Sequence, residues 1–144
     1  LLACVSDATD QGIDILLDHN LHCDSDYEDQ PYVDVSANYN AAGEADTSTG
    51  LAKIFCEDKE ARRIVWLKGW TLGGRAAAGC RQYFNNNLIR IQLIALRETD
   101  PRNPEVWIMI SADLTTTTSR YRRDMHVFRD VVRAVRIGPD GPLK

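Results

Sequence analysis

AAAGCRQYFNNNLIRIQLIAL, residues 76–96, is the stretch on which the fold turns. Its second part, Leu88–Leu96, is the strongest strand signal in the chain, and Ala76–Phe84 reads as a strand before it. Between them stand Asn85, Asn86 and Asn87. Asparagine tolerates left-handed backbone, so the triplet suits a tight hairpin and makes the two strands antiparallel.

Downstream, Pro101-Arg102-Asn103-Pro104 interrupts the pattern and Val106–Ala112 resumes it. Three strands joined by short turns imply an antiparallel meander. Upstream, Gly73-Gly74-Arg75 is a turn, and Ile64–Trp70 is a strand with Ile64, Trp66 and Trp70 on one side. Glu57–Glu60 is a charged turn, Leu51–Cys56 a short strand, and Asn40–Gly50 a polar loop. In Tyr32–Tyr39, Val33, Val35, Ala37 and Tyr39 alternate with Asp34, Ser36 and Asn38, the pattern of a half-buried strand. Asp7–Leu21 reads as a short helix with Ile13, Leu16 and Leu17 on one face.

The C-terminal segment closes the domain. Tyr121, Met125, Phe128, Val132 and Val135 recur every four or three residues, the stripe a core-facing helix needs. Thr118 or Ser119 can cap its start, and Gly138-Pro139 ends it. The predicted fold is therefore α+β: an antiparallel sheet of about five to six strands with an N-terminal helix and a C-terminal amphipathic helix packed on it. A chain of 144 residues with 44% hydrophobic and 26% charged residues suits one domain with its own core, spanning the whole sequence.

Cys4, Cys23, Cys56 and Cys80 include no CxxC pair, which argues against a zinc or thioredoxin-type motif. Their even number and wide spacing point to disulfides and an oxidising, extracytoplasmic compartment. Of the three pairings open to four cysteines, Cys4–Cys23 with Cys56–Cys80 is the simplest. A competing reading takes Leu1-Leu2-Ala3-Cys4 as the end of a bacterial lipoprotein signal, with lipid on Cys4 as the membrane anchor. The two readings of Cys4 exclude each other. Leu88–Leu96 is too short to span a bilayer and carries Arg90 and Gln92.

The net charge of −4 hides an asymmetry. Residues 1–60 hold 14 acids against Lys53 and Lys59, a balance of −12; residues 61–144 hold 15 Lys and Arg against 7 acids, a balance of +8. The acids include Asp24, Asp26, Glu28 and Asp29 in one loop. The bases include Arg122, His126, Arg129, Arg133 and Arg136, a second helical stripe one residue round from the apolar one. Either the two halves pair within the fold, or one face stays free for a charged partner. Arginine's planar fork suits oxyanions, so the stripe and the acidic loop are the candidate binding surfaces.

No catalytic or metal constellation is complete, which argues against an enzyme and against any cofactor. His19, His22 and Cys23 are too few to make a metal site. The acidic loop lacks the glycine and terminal glutamate of a calcium-binding EF-hand. The aromatic residues Trp66, Trp70, Tyr83, Phe84 and Trp107 sit at strand spacing and read mostly as core, and the pI near 5.3 disfavours nucleic acid as a partner. His126 with Glu57, Glu98 or Glu105 supplies the residue types of a ribonuclease-like site, with no spacing that brings them together.

From Leu72-Gly73-Gly74-Arg75 through Leu88–Leu96 and Val106–Ala112 to Tyr121–Ile137, the order of elements resembles the Mog1/PsbP-like small α/β domains. These occur among bacterial envelope lipoproteins and immunity proteins. The resemblance implies helices packed on a sheet, no cofactor and a binding role. The expected function is a non-enzymatic extracytoplasmic binding protein, such as a periplasmic lipoprotein or a toxin-neutralising immunity-type protein, with a protein as partner. The alternatives are a small secreted effector or toxin of ribonuclease type, and a structural envelope assembly factor.

Overall fold

The computed structural model describes the backbone of residues 2–6, 15–16, 32–40, 47–98 and 107–137, and the side chains of 33–36, 47–96 and 108–135. The elements are β1 (Leu2–Ser6), β2 (Ile15–Leu16), β3 (Tyr32–Asn40), α1 (Ser48–Cys56), β4 (Arg63–Leu72), β5 (Arg75–Tyr83), β6 (Leu88–Glu98), β7 (Trp107–Thr117), α2 (Tyr121–Ala134) and β8 (Arg136–Ile137). The main sheet has the order β1-β3-β7-β6-β5-β4. Five of its strands, β3 to β4 in that order, pair antiparallel, and β1 joins the edge parallel to β3. The α+β class and the antiparallel β5-β6-β7 meander agree with the sequence reading.

The hairpin triplet behaves as its chemistry demands: Asn86 and Asn87 both have φ 61°, and the Phe84 N–H donates to the Leu88 carbonyl at 2.9 Å. β7 runs five residues beyond the predicted end at Ala112, because Thr115–Thr117 are β-branched and pair with β6. The predicted caps of α2 are otherwise engaged. The Thr118 hydroxyl donates to the Asn87 carbonyl at 3.3 Å, Ser119 lies beside Thr117, and Arg120 caps the helix without a side-chain bond.

Two predicted elements are corrected. Leu51–Cys56 is the body of helix α1 instead of a strand. Thr47 caps it, its Oγ1 accepting the Gly50 N–H at 3.0 Å, which draws Ser48–Gly50 into the first turn. The run LAKIFC is too short for periodicity to separate helix from strand. The helix predicted over Asp7–Leu21 falls largely outside the described residues, but its Ile15–Leu16 form β2, paired antiparallel with β8. The helix of the N-terminal half is α1.

The two faces of the sheet differ. On one, Val33, Val35, Ile91, Leu93, Ala95, Ile108, Ile110, Ala112 and Leu114 meet Met125, Phe128, Val132 and Val135 from α2 and its C-cap, with Leu72. This is the main core, and it carries the predicted helix stripe, with Tyr121 half-buried at its start. On the other face, Leu51 of α1 packs on Ile94 and Leu96. Polar clamps hold α1 there. Gln82 donates to the Cys56 carbonyl at 2.9 Å, and Gln92 donates to the Phe55 carbonyl at 3.3 Å and to Gln82 Oε1 at 2.8 Å. These bonds satisfy carbonyls that a helix C-terminus leaves unpaired. The Cys56–Cys80 disulfide, the expected nearest-neighbour pair, ties the same end to β5. Cys4 and Cys23 have side chains outside the described residues. The backbone of Cys4 lies within β1, opposite Asp34.

Candidate anion-binding surface

α2 sorts its residues by charge. Met125, Phe128 and Val132 face the sheet, and Arg122, His126, Arg129 and Arg133 are exposed along the opposite side. Arg136 follows in β8, its side chain outside the described residues. Among the described residues no carboxylate pairs with any of the four exposed cations; the ion pair on this helix is Arg120 with Asp124, Nε to Oδ2 at 3.4 Å. Asp124 is itself fully buried and also accepts from the Thr116 hydroxyl. The acidic loop residues Asp24, Asp26, Glu28 and Asp29 lie outside the described residues.

β4 completes the surface through a bulge. Leu67 pairs with Gly79 and Trp70 with Ala77, so three steps on β4 match two on β5. The extra residue reverses the side-chain alternation. Trp66 and Trp70 therefore point to opposite faces, against the expectation that they share one. Trp66 is 45% exposed beside the disulfide face, whereas Trp70 packs on Phe128 with ring centroids 6.0 Å apart. Arg129 makes a cation–π contact with Trp70, its guanidinium carbon 4.9 Å from the ring centroid. Between bulge and helix lies a half-open groove of about 460 Å³ lined by Lys68, Gly69, Trp70, Thr71, Arg129, Val132 and Arg133. Every charged group in that lining is a cation.

At the α2 N-terminus arginine and tyrosine alternate. Arg81 lies 5.5 Å from the ring centroids of both Tyr83 and Tyr121, and its Nη1 donates to the Tyr121 hydroxyl at 2.6 Å. Arg63 covers Tyr83 at 5.6 Å. These contacts pin the helix start to β4 and β5.

The other face carries a buried acid that the sequence reading did not single out. Asp34 and Asp113 are directly opposite on β3 and β7, two register positions from the Ser36–Ser111 hydroxyl bond of 2.7 Å. Asp113 is half-buried as a residue, but its Oδ1 is sealed from solvent and accepts no hydrogen bond. Burial, with the neighbouring Asp34 charge, pushes its carboxyl up to about 7, and Arg90 opposes the rise. The alternation in β3 placed Asp34 on the polar side; the sign missed was an aspartate at Asp113 inside what proves to be a central strand. Arg90 also borders an open pocket of about 630 Å³ with Asp58, Lys59, Glu60 and Phe84, whose mixed charges select no sign of ligand.

Among the described residues, the structure does not bring His126 and Glu57 together. Glu57 caps α1 on one face of the sheet, and His126 is exposed on α2 across the other. Glu98 and Glu105 have side chains outside the described residues. Among the described residues no cluster of three metal-ligating side chains occurs, and no helix is long and apolar enough to cross a membrane. Comparison with protein-family models gives no match. No curated protein is similar to the chain in sequence.

Proposed function

We propose that the chain is a non-enzymatic extracytoplasmic binding protein of the Mog1/PsbP-like kind, which engages a protein partner through the cationic face of α2. The observation that carries this reading is the row Arg122, His126, Arg129 and Arg133, exposed and with no ion-paired carboxylate among the described residues. Unpaired like charges repel, and their field extends over roughly a Debye length of 8–10 Å, where it steers an oppositely charged surface. The Cys56–Cys80 disulfide suits an oxidising compartment. A periplasmic lipoprotein and an immunity-type inhibitor both meet these requirements.

The test is charge reversal. Immobilised wild-type protein should retain a specific partner from an envelope or secreted extract at low salt and release it as salt rises. Arg122→Glu with Arg129→Glu should slow association of that purified partner by about tenfold or more and flatten its salt dependence. Equal association rates for wild type and double variant, with the same salt slope, overturn the reading.

A further inference from the structure

We propose that the groove between the β4 bulge and α2 is a site for one tetrahedral oxyanion of the phosphate or sulfate class. This goes beyond the protein-binding reading and does not rest on it, since a small anion can occupy the groove whether or not a protein covers the helix.

Three independent features converge on that chemistry. The first is charge. Lys68 lines the groove from the strand and Arg129 and Arg133 from successive turns of the helix, with no acid in the lining. Asp130 stands next to Arg129 in sequence and is exposed, yet forms no ion pair with Arg129 or Arg133 among the described residues. Three cations held around one space repel one another until an anion joins them. A carboxylate would neutralise one of them. A phosphate or sulfate brings about two charges and acceptor oxygens on several sides, which matches donors arriving from two walls.

The second feature is preorganisation. The cation–π contact with Trp70 holds the Arg129 guanidinium beside the groove, and Trp70 is held in turn against Phe128. A guanidinium already held in place loses little further freedom when an oxyanion binds it.

The third is the floor of the groove. Lys68 and Gly69 have no partner in the β4–β5 register, and β4 is the sheet's outer strand. The ladder is therefore interrupted beside the three cations. Gly69 has φ +75°, a conformation that favours glycine, and a Cβ there would meet nothing within 4 Å. Open space thus lies directly over the bulge. The groove is larger than one phosphate, so the group can be free or carried on a lipid headgroup.

Calorimetric titration of the full chain with inorganic phosphate, in a buffer without phosphate or sulfate, tests the assignment. Sedimentation with phosphatidylglycerol-containing vesicles, against pure phosphatidylcholine, distinguishes the source. Saturable phosphate binding without vesicle binding identifies a free-anion site; vesicle binding that phosphate displaces identifies a headgroup site. Both support the proposal. Lys68→Gln and Arg129→Gln should each weaken phosphate by about tenfold or more, as expected for loss of one charge-assisted contact. Arg129→Lys, which keeps the charge and loses the planar fork, should fall between. Lys53→Gln on α1, across the sheet, should change nothing. Absence of saturable phosphate binding, or affinity indifferent to both Lys68→Gln and Arg129→Gln, overturns the proposal and leaves the protein-partner test untouched.

Discussion

Replacing Asp113 by asparagine should stabilise the protein above neutrality and leave it no more stable in acid. The folded state holds this carboxyl at about 7, against an ordinary value of 3.8. Between those two pH values the folded protein keeps a proton that the unfolded chain has released. A carboxyl raised on folding contributes stability that is complete below about pH 4 and lost as pH rises, at up to about 1.4 kcal/mol per pH unit. By pH 8 the ionised Asp113, with Oδ1 sealed and unpaired, carries a penalty on the order of 4 kcal/mol. Asparagine keeps the shape and cannot ionise, but it leaves a buried polar group that itself costs about 1–3 kcal/mol if unsatisfied. The expected net gain at pH 8 is therefore about 2 kcal/mol. Urea denaturation of wild type and Asp113→Asn at intervals from about pH 4 to 8 reads it directly. Wild-type stability should decline across that window while the variant shows a shallower slope. Asp34→Asn, which removes the neighbouring charge that helps hold the proton, should narrow the wild-type window from its upper end. Parallel curves for wild type and Asp113→Asn would refute the argument, because the carboxyl would then be ionised at no cost through solvation that the sealed Oδ1 excludes.

Two further outcomes concern the scaffold. Cys56→Ser with Cys80→Ser opens a bridge of sequence separation 24 and should cost about 3 kcal/mol in thermal or urea unfolding, an effect absent if the bond merely decorates α1. Gly79→Ala should be far worse than Gly69→Ala, although only Gly69 has positive φ. A Cβ at Gly79 collides with the Gln92 backbone carbonyl inside the β5–β6 ladder, whereas at Gly69 it meets open space and carries only left-handed strain of about 1–2 kcal/mol. Comparable melting temperatures for the two variants would contradict this.

Local chemistry was enough wherever one residue type has one structural use. The asparagine triplet specified its hairpin because few side chains accept φ near 61°. The Met125, Phe128, Val132 stripe specified α2 because a helix must bury one face, and the same spacing placed Arg122, His126, Arg129 and Arg133 outside. The readings failed where a short segment was locally ambiguous. LAKIFC carries apolar residues at positions that fit a strand or a helix turn, and the Thr47 cap together with the Gln82 and Gln92 clamps decided for the helix. Ile64–Trp70 looked like uninterrupted alternation, and Gly69 within it was the one local sign of a bulge.

By itself, then, the sequence determined the antiparallel hairpin, the α+β class and the exposure of the basic stripe, since each follows from backbone preference or from the period of hydrophobic residues. Only the tertiary structure decided the two candidate sites. Lys68 and Arg129 are 61 positions apart in the chain, and a one-residue bulge brings them to one groove by turning Trp70 toward α2. Asp34 and Asp113 meet because β3 and β7 are neighbours in register. Strand pairing is a long-range choice made by burial over the whole sheet, and no local pattern records it.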